Sequence, residues 1–109
     1  MIKFTTPTLY ARVKNIDLTE GYDVYVSLEQ GKNQLDKSNA DLTLELDGED
    51  TVLSFMLSQL ESASFDLESP VYVQINVIDA NGYRAATGIK KVPVMRNLLD
   101  KEIAYGDRV

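Results

Sequence analysis

Three groups of side chains have types and spacings that suit chemistry. Asp47, Glu49 and Asp50 crowd one turn around Gly48, and Asp79 and Asn81 flank a second. Such oxygen donors suit calcium. They lack the spaced loop of a calcium-binding hand, and two turns make a site only where the fold brings them to one pole, so a solvated turn is the expectation for each. Asp100, Lys101 and Glu102 form a short charged run. A catalytic carboxylate pair needs one acid in an apolar pocket and one kept ionised, and nothing nearby indicates a pocket. Tyr10, Tyr25 and Tyr72 fall at polar positions of three apolar/polar alternations. Exposed aromatics stack on sugar rings or anchor protein interfaces, and their plainer role is cross-strand packing that stiffens a sheet. The sequence has no His and no Cys. That excludes Ser-His-Asp and Cys-His nucleophile systems, His-ligated zinc, thiolate metal sites and disulfides. The chain is expected to be non-enzymatic, with no catalytic residue, no cofactor and no metal.

The elements that would position these residues are short and alternate with a period of two. Val24, Val26 and Leu28 alternate with Tyr25, Ser27 and Glu29; Leu42, Leu44 and Leu46 with Thr43 and Glu45; Val71, Val73, Ile75 and Val77 with Tyr72, Gln74 and Asn76. A period of two gives strands with one buried and one wet face. The expected strands are 8–14, 22–30, 33–37, 41–46, 51–57, 71–79 and 83–94. The last is interrupted at Gly88 and Pro93, and 33–37, with Leu35 as its one apolar residue, reads as an edge. Leu53, Phe55 and Leu57 share one face of 51–57, and Val52 and Met56 the other, which predicts a strand covered on both sides. Ile16 and Leu18, in the connection 15–21, are positioned to plug one end of the core. Asp47-Gly48 and Asn81-Gly82 are hairpin signals. Ser58 and Glu61 make a capping box for one helical turn, with Leu60, Ala63 and Phe65 closing the base. These elements predict an all-β fold: an immunoglobulin-like β-sandwich of about seven strands with one short helical turn. A small barrel is the alternative.

At 109 residues the chain is one domain, 1–96, followed by a C-terminal segment, 97–109. That segment does not alternate. Its Leu98, Leu99, Ile103 and Tyr105 have few partners within it, so it either folds back as a last strand and helical turn or docks on another subunit. Together with Tyr10, Tyr25 and Tyr72 they are the candidate interface residues. The formal net charge is −6, and the basic residues Arg84, Lys90, Lys91 and Arg96 are spread without aromatic interleaving, so no nucleic-acid partner is expected. No apolar run approaches a membrane span, and the opening residues have no apolar signal-peptide region. A protein made in the cytoplasm, soluble and without a membrane partner, is the expectation.

Particular stretches carry a resemblance. They are Phe4-Thr5-Thr6-Pro7-Thr8, the strand from Tyr22 to Gly31, and Leu57-Ser58-Gln59-Leu60-Glu61-Ser62-Ala63-Ser64-Phe65, which is similar to a family stretch L-T-Q-E-E-T-x-x-F. Val73-Gln74-Ile75-Asn76-Val77 and Arg84-Ala85-Ala86-Thr87 continue it. Over nearly its whole length the chain resembles small Ig-like structural proteins from the tail or baseplate region of phages and prophages of Gram-positive gut bacteria. Leu60 departs from the family's acidic pair after Gln59. The resemblance implies a virion-associated protein, made in the host bacterial cytoplasm, whose partners are other phage structural proteins or further copies of itself in an oligomer or ring. It implies no functional residue. The alternative from another class is a carbohydrate- or cell-surface-binding module, which predicts Tyr10, Tyr25 and Tyr72 in a row on one face.

Overall fold

The computed structural model describes residues 1–67 and 69–103. Among these residues eight strands form two antiparallel sheets. The first sheet has the order β1-β5-β4, built from β1 (Thr8–Val13), β5 (Asp50–Met56) and β4 (Thr43–Asp47). The second runs β3-β2-β6, from β3 (Asn33–Lys37), β2 (Tyr22–Gln30) and β6 (Val71–Asp79). Its far edge is shared by β7 (Arg84–Ala86) and β8 (Lys90–Val92), which pair with successive parts of β6. These orders match the B-E-D and C′-C-F-G sheets of immunoglobulin-like sandwiches, with β1 at the B position. The A strand is reduced to one parallel bridge, Ile2 with Met95. The fold is an all-β sandwich rather than a closed barrel.

Alternation explains the core. Val24, Val26, Leu28, Leu53, Leu57, Val71 and Phe65 are fully buried between the sheets, and Leu18 plugs one end. Two polar residues share the inward parity. Thr51 Oγ1 accepts the Leu18 N–H at 2.9 Å and donates to the Ile16 carbonyl at 2.7 Å, tying the β1–β2 connection to β5. The Gln30 amide donates to the carbonyls of Asp66 and Ser69 and accepts the Asp66 N–H, at 2.8, 2.7 and 2.6 Å. Each buried side chain thus satisfies main chain that would otherwise be stranded in the sandwich.

Three expectations change, and the Asn81-Gly82 hairpin takes a definite form. The outer face of β5 is not covered: Met56 is 60% exposed, because no layer lies beyond the first sheet. The strand expected at 41–46 begins two residues later. A 3₁₀ turn, Asn39–Asp41, precedes β4, with the Asp41 carboxylate accepting the Ser38 N–H. Helix α1 (Gln59–Ala63) has its Ser58 cap and Glu61 box, but Leu60 points to solvent and Ser62 is buried in its place. The Ser62 hydroxyl donates to the Thr5 carbonyl at 2.7 Å. The Asn81-Gly82 signal does mark the β6–β7 hairpin, through a three-residue loop. Gly82 N–H bonds the Asp79 carbonyl, Asp79 N–H bonds that of Tyr83, and Gly82 takes φ +85°, the left-handed position of a bulged hairpin.

Candidate functional site

The expected row of tyrosines does not form. Tyr10 lies on the outer face of the first sheet, opposite Ser54 and 74% exposed. Tyr25 and Tyr72 share the outer face of the second, in the register Tyr25↔Asn76 and Glu29↔Tyr72, with Ser27 and Gln74 between them. Three polar side chains of this face, Gln74, Asn76 and Arg84, are committed to the protein itself. Gln74 Nε2 donates to the Thr87 carbonyl at 2.9 Å, and Arg84 donates to Asn76 Oδ1 at 3.1 Å. Lys91 Nζ lies 5.9 Å from the Tyr72 ring centroid, a cation–π contact. Lys90, one residue earlier, faces the other side of the sheet, so the basic residues form no single patch.

The acidic turn between β4 and β5 is not simply solvated. Arg12 reaches across the first sheet and donates to Asp47 at 2.5 Å and Asp50 at 3.0 Å. Asp50 also accepts the Asn15 N–H at 2.9 Å. That bond, then Arg12, holds the Asp50 carboxyl below the ordinary carboxylate range. Both acid-bearing turns lie at the same pole, where β5 begins and β6 ends. They belong to different sheets, and no cluster of three acids among the described residues is placed to hold a metal.

The opposite pole carries apolar surface. Residues 97–103 form neither the strand nor the helical turn expected of a folded-back tail. The segment is nonetheless anchored. Asn97 Nδ2 donates to the Lys3 carbonyl at 2.9 Å, and the Gln59 amide both donates to the Ile103 carbonyl and accepts its N–H at 2.7 Å. The side chains point away: Leu98 is 88% exposed, Ile103 58% and Leu99 46%. Ile2, Leu60 and Met95 are exposed at the same end. Tyr105 lies outside the described residues.

Between the sheets, along the flank formed by β1 and the β7–β8 edge, runs an open groove of about 470 Å³. Leu9, Ala11, Phe55, Val73 and Ile75 make its apolar lining, and Lys90 stands on the β8 side. Lys90 pairs in register with the inward residue Val73, so it occupies an apolar position of the alternation. The sequence signal was its parity with Val92 and Val94, which the search for charged clusters passed over. Compared with known proteins, the chain matches no protein-family model and no curated protein.

Proposed function

We propose that this chain is a non-enzymatic structural protein of a phage or prophage particle, an accessory of the tail or baseplate that works through protein–protein contacts. One observation carries the contact role. The segment 97–103 is held to the body by the Asn97 amide and the Ile103 main chain while Leu98, Leu99 and Ile103 face solvent beside Ile2, Leu60 and Met95. Exposed apolar side chains gathered at one pole mark an interaction surface. In a ring or stack of many copies each such contact can be weak. The phage assignment is supported by the resemblance of the stretches around Tyr22–Gln30, Leu57 to Phe65 and Val71–Asp79. The carbohydrate-binding alternative keeps only two of its three tyrosines on one face, and the neighbouring amide and guanidinium donors are already engaged.

The test is a blot for this chain across a density gradient of particles from an induced culture of its source. Co-sedimentation that survives a high-salt wash is the expected result, since the contact is apolar. A chain confined to the soluble lysate would overturn the structural role.

A further inference from the structure

The two sheets differ in width. Among the described residues the first has three strand positions and the second has four, because β7 and β8 fill an edge position with no strand of the first sheet opposite it. The space above β8 and beside β1 is one strand wide, and the apolar groove is its floor. The Leu57 N–H donates to the Pro7 carbonyl at 3.0 Å, in line with the β1–β5 register. Antiparallel ladders alternate the side to which each residue turns its main chain. Leu9, Ala11 and Val13 therefore bond β5, and Thr8, Tyr10 and Arg12 turn their N–H and C=O groups to the open side.

Open strand edges are normally guarded by charge, bulges or shortness. The other edges here are. β4 carries Glu45 and Asp47, β3 has five residues with Asp36 and an inward Lys37, and the β7–β8 edge is broken between Ala86 and Lys90. β1 has six residues and no interruption, and its one charge, Arg12, is neutralised by Asp47 and Asp50.

The inward lysines make the contrast specific. Lys37 on β3 meets Glu61 of α1 at 2.8 Å. Lys90 on β8 is the inward lysine of the opposite edge, on the Leu35–Leu28–Val73 row next to that of Lys37, at the groove, and among the described residues no carboxylate pairs with it.

We propose that this opening accepts an extended segment of another protein as an added strand, antiparallel to β1, with alternate apolar side chains entering the groove and a carboxylate meeting Lys90. The assignment rests on the reading of the chain as an assembly protein and names the acceptor surface it uses. Main-chain bonding to Thr8, Tyr10 and Arg12 would supply affinity, and the pocket positions would supply selection. Six residues of β1 match a strand of roughly 20 Å. An antiparallel guest runs in the direction that Met1 to Lys3 already take beside Met95.

The probe is a synthetic nonapeptide alternating threonine and valine, with one inward valine replaced by glutamate, added to the isotope-labelled full chain. Amide exchange is read residue by residue. The expected result is about tenfold or greater slowing at Thr8, Tyr10 and Arg12 with the amides of Leu9 and Ala11 unchanged, as for N–H groups gaining a partner. A peptide with lysine in place of glutamate binds about fivefold more weakly, and Lys90→Glu reverses that preference. Tyr10→Pro removes an N–H on the open side only, so its melting temperature stays near that of the parent while peptide protection is lost. Absence of protection at these amides, or the same preference for both peptides, would overturn the proposal. So would protection that grows with protein concentration alone, which assigns the groove to a second copy. The measurement uses isolated protein, so it can succeed or fail independently of the particle blot.

Discussion

At the scale of single residues, the side chains that decide the most are polar ones in apolar positions. Thr51 is fully buried and serves two main-chain groups of the β1–β2 connection. Thr51→Val keeps the shape but leaves the Leu18 N–H and the Ile16 C=O without partners. The expected cost is about 2–3 kcal/mol, or roughly 10 °C or more in melting temperature, while Thr51→Ser keeps the hydroxyl and costs less. Chemical denaturation of the two variants checks it; a valine variant no less stable than the serine variant would count against the hydrogen-bond account. The carboxylates set the response to acid. The Asn15 N–H and Arg12 hold Asp50 low. Burial pushes Glu61 up, but hydrogen bonds from Lys37 and the Ser58 N–H outweigh it, and its net direction is also down. A carboxyl depressed in the folded state contributes stability that is full above its unfolded pKa and is lost as pH falls through the folded value. Stability is therefore expected to hold from neutral pH down to about 5 and to fall below about 4. Asp50→Asn should be less stable than the parent at pH 7 and converge with it in acid, and a constant difference across the titration would count against this account.

At the scale of elements, the strands were legible because a period of two is imposed by the pleat itself. β2, β3 and β6 appear with the bounds that alternation gives them, Tyr22–Gln30, Asn33–Lys37 and Val71–Asp79. The start of β4 was not legible, because Leu42 continues the alternation through a turn that the Asp41 side chain stabilises instead. The break in the last strand was visible at Gly88 and Pro93, but its repair was not. Thr87 N–H bonds the Ile75 carbonyl at 2.9 Å, and the Thr87 hydroxyl accepts the Ile75 N–H at 3.1 Å, replacing a main-chain acceptor where the edge bulges. Thr87→Val should strand that N–H at a cost of about 1–2 kcal/mol, with Thr87→Ser close to the parent. Faster amide exchange at Ile75 in the valine variant alone is the signature. Uniform exchange in both variants would mean that the bulge is held by the remaining bonds.

At the scale of the molecule, sheet order and poles depend on contacts far apart in sequence, and periodicity says nothing of them. That is why Tyr10 could not be separated from Tyr25 and Tyr72 beforehand, whereas Lys90 and Lys91 already differ in parity within one strand. The same limit applied to residues 97–109, whose role as core or arm had two readings. The described part, 97–103, supports an arm. Val94 is buried and Met95 is tied to Met1 and Lys3, so among the described residues the last buried apolar side chain and the last bridge precede Asn97. Beyond them the segment contributes the Asn97–Lys3 and Gln59–Ile103 hydrogen bonds, all at exposed or half-exposed positions, and no buried apolar side chain among the described residues. Exposed hydrogen bonds of this kind exchange with water at little net cost. A chain ending at Arg96 should therefore unfold cooperatively, within about 5 °C of the full-length protein, on the scale of about 1 kcal/mol. It should also lose the apolar contact surface of Leu98, Leu99 and Ile103 and no longer co-sediment with particles. Calorimetry and the gradient blot separate the two effects. Loss of the cooperative transition would make the segment part of the core, and a truncated chain that folds and still co-sediments would move the contact surface elsewhere on the molecule, with the open edge of β1 as the next place to look.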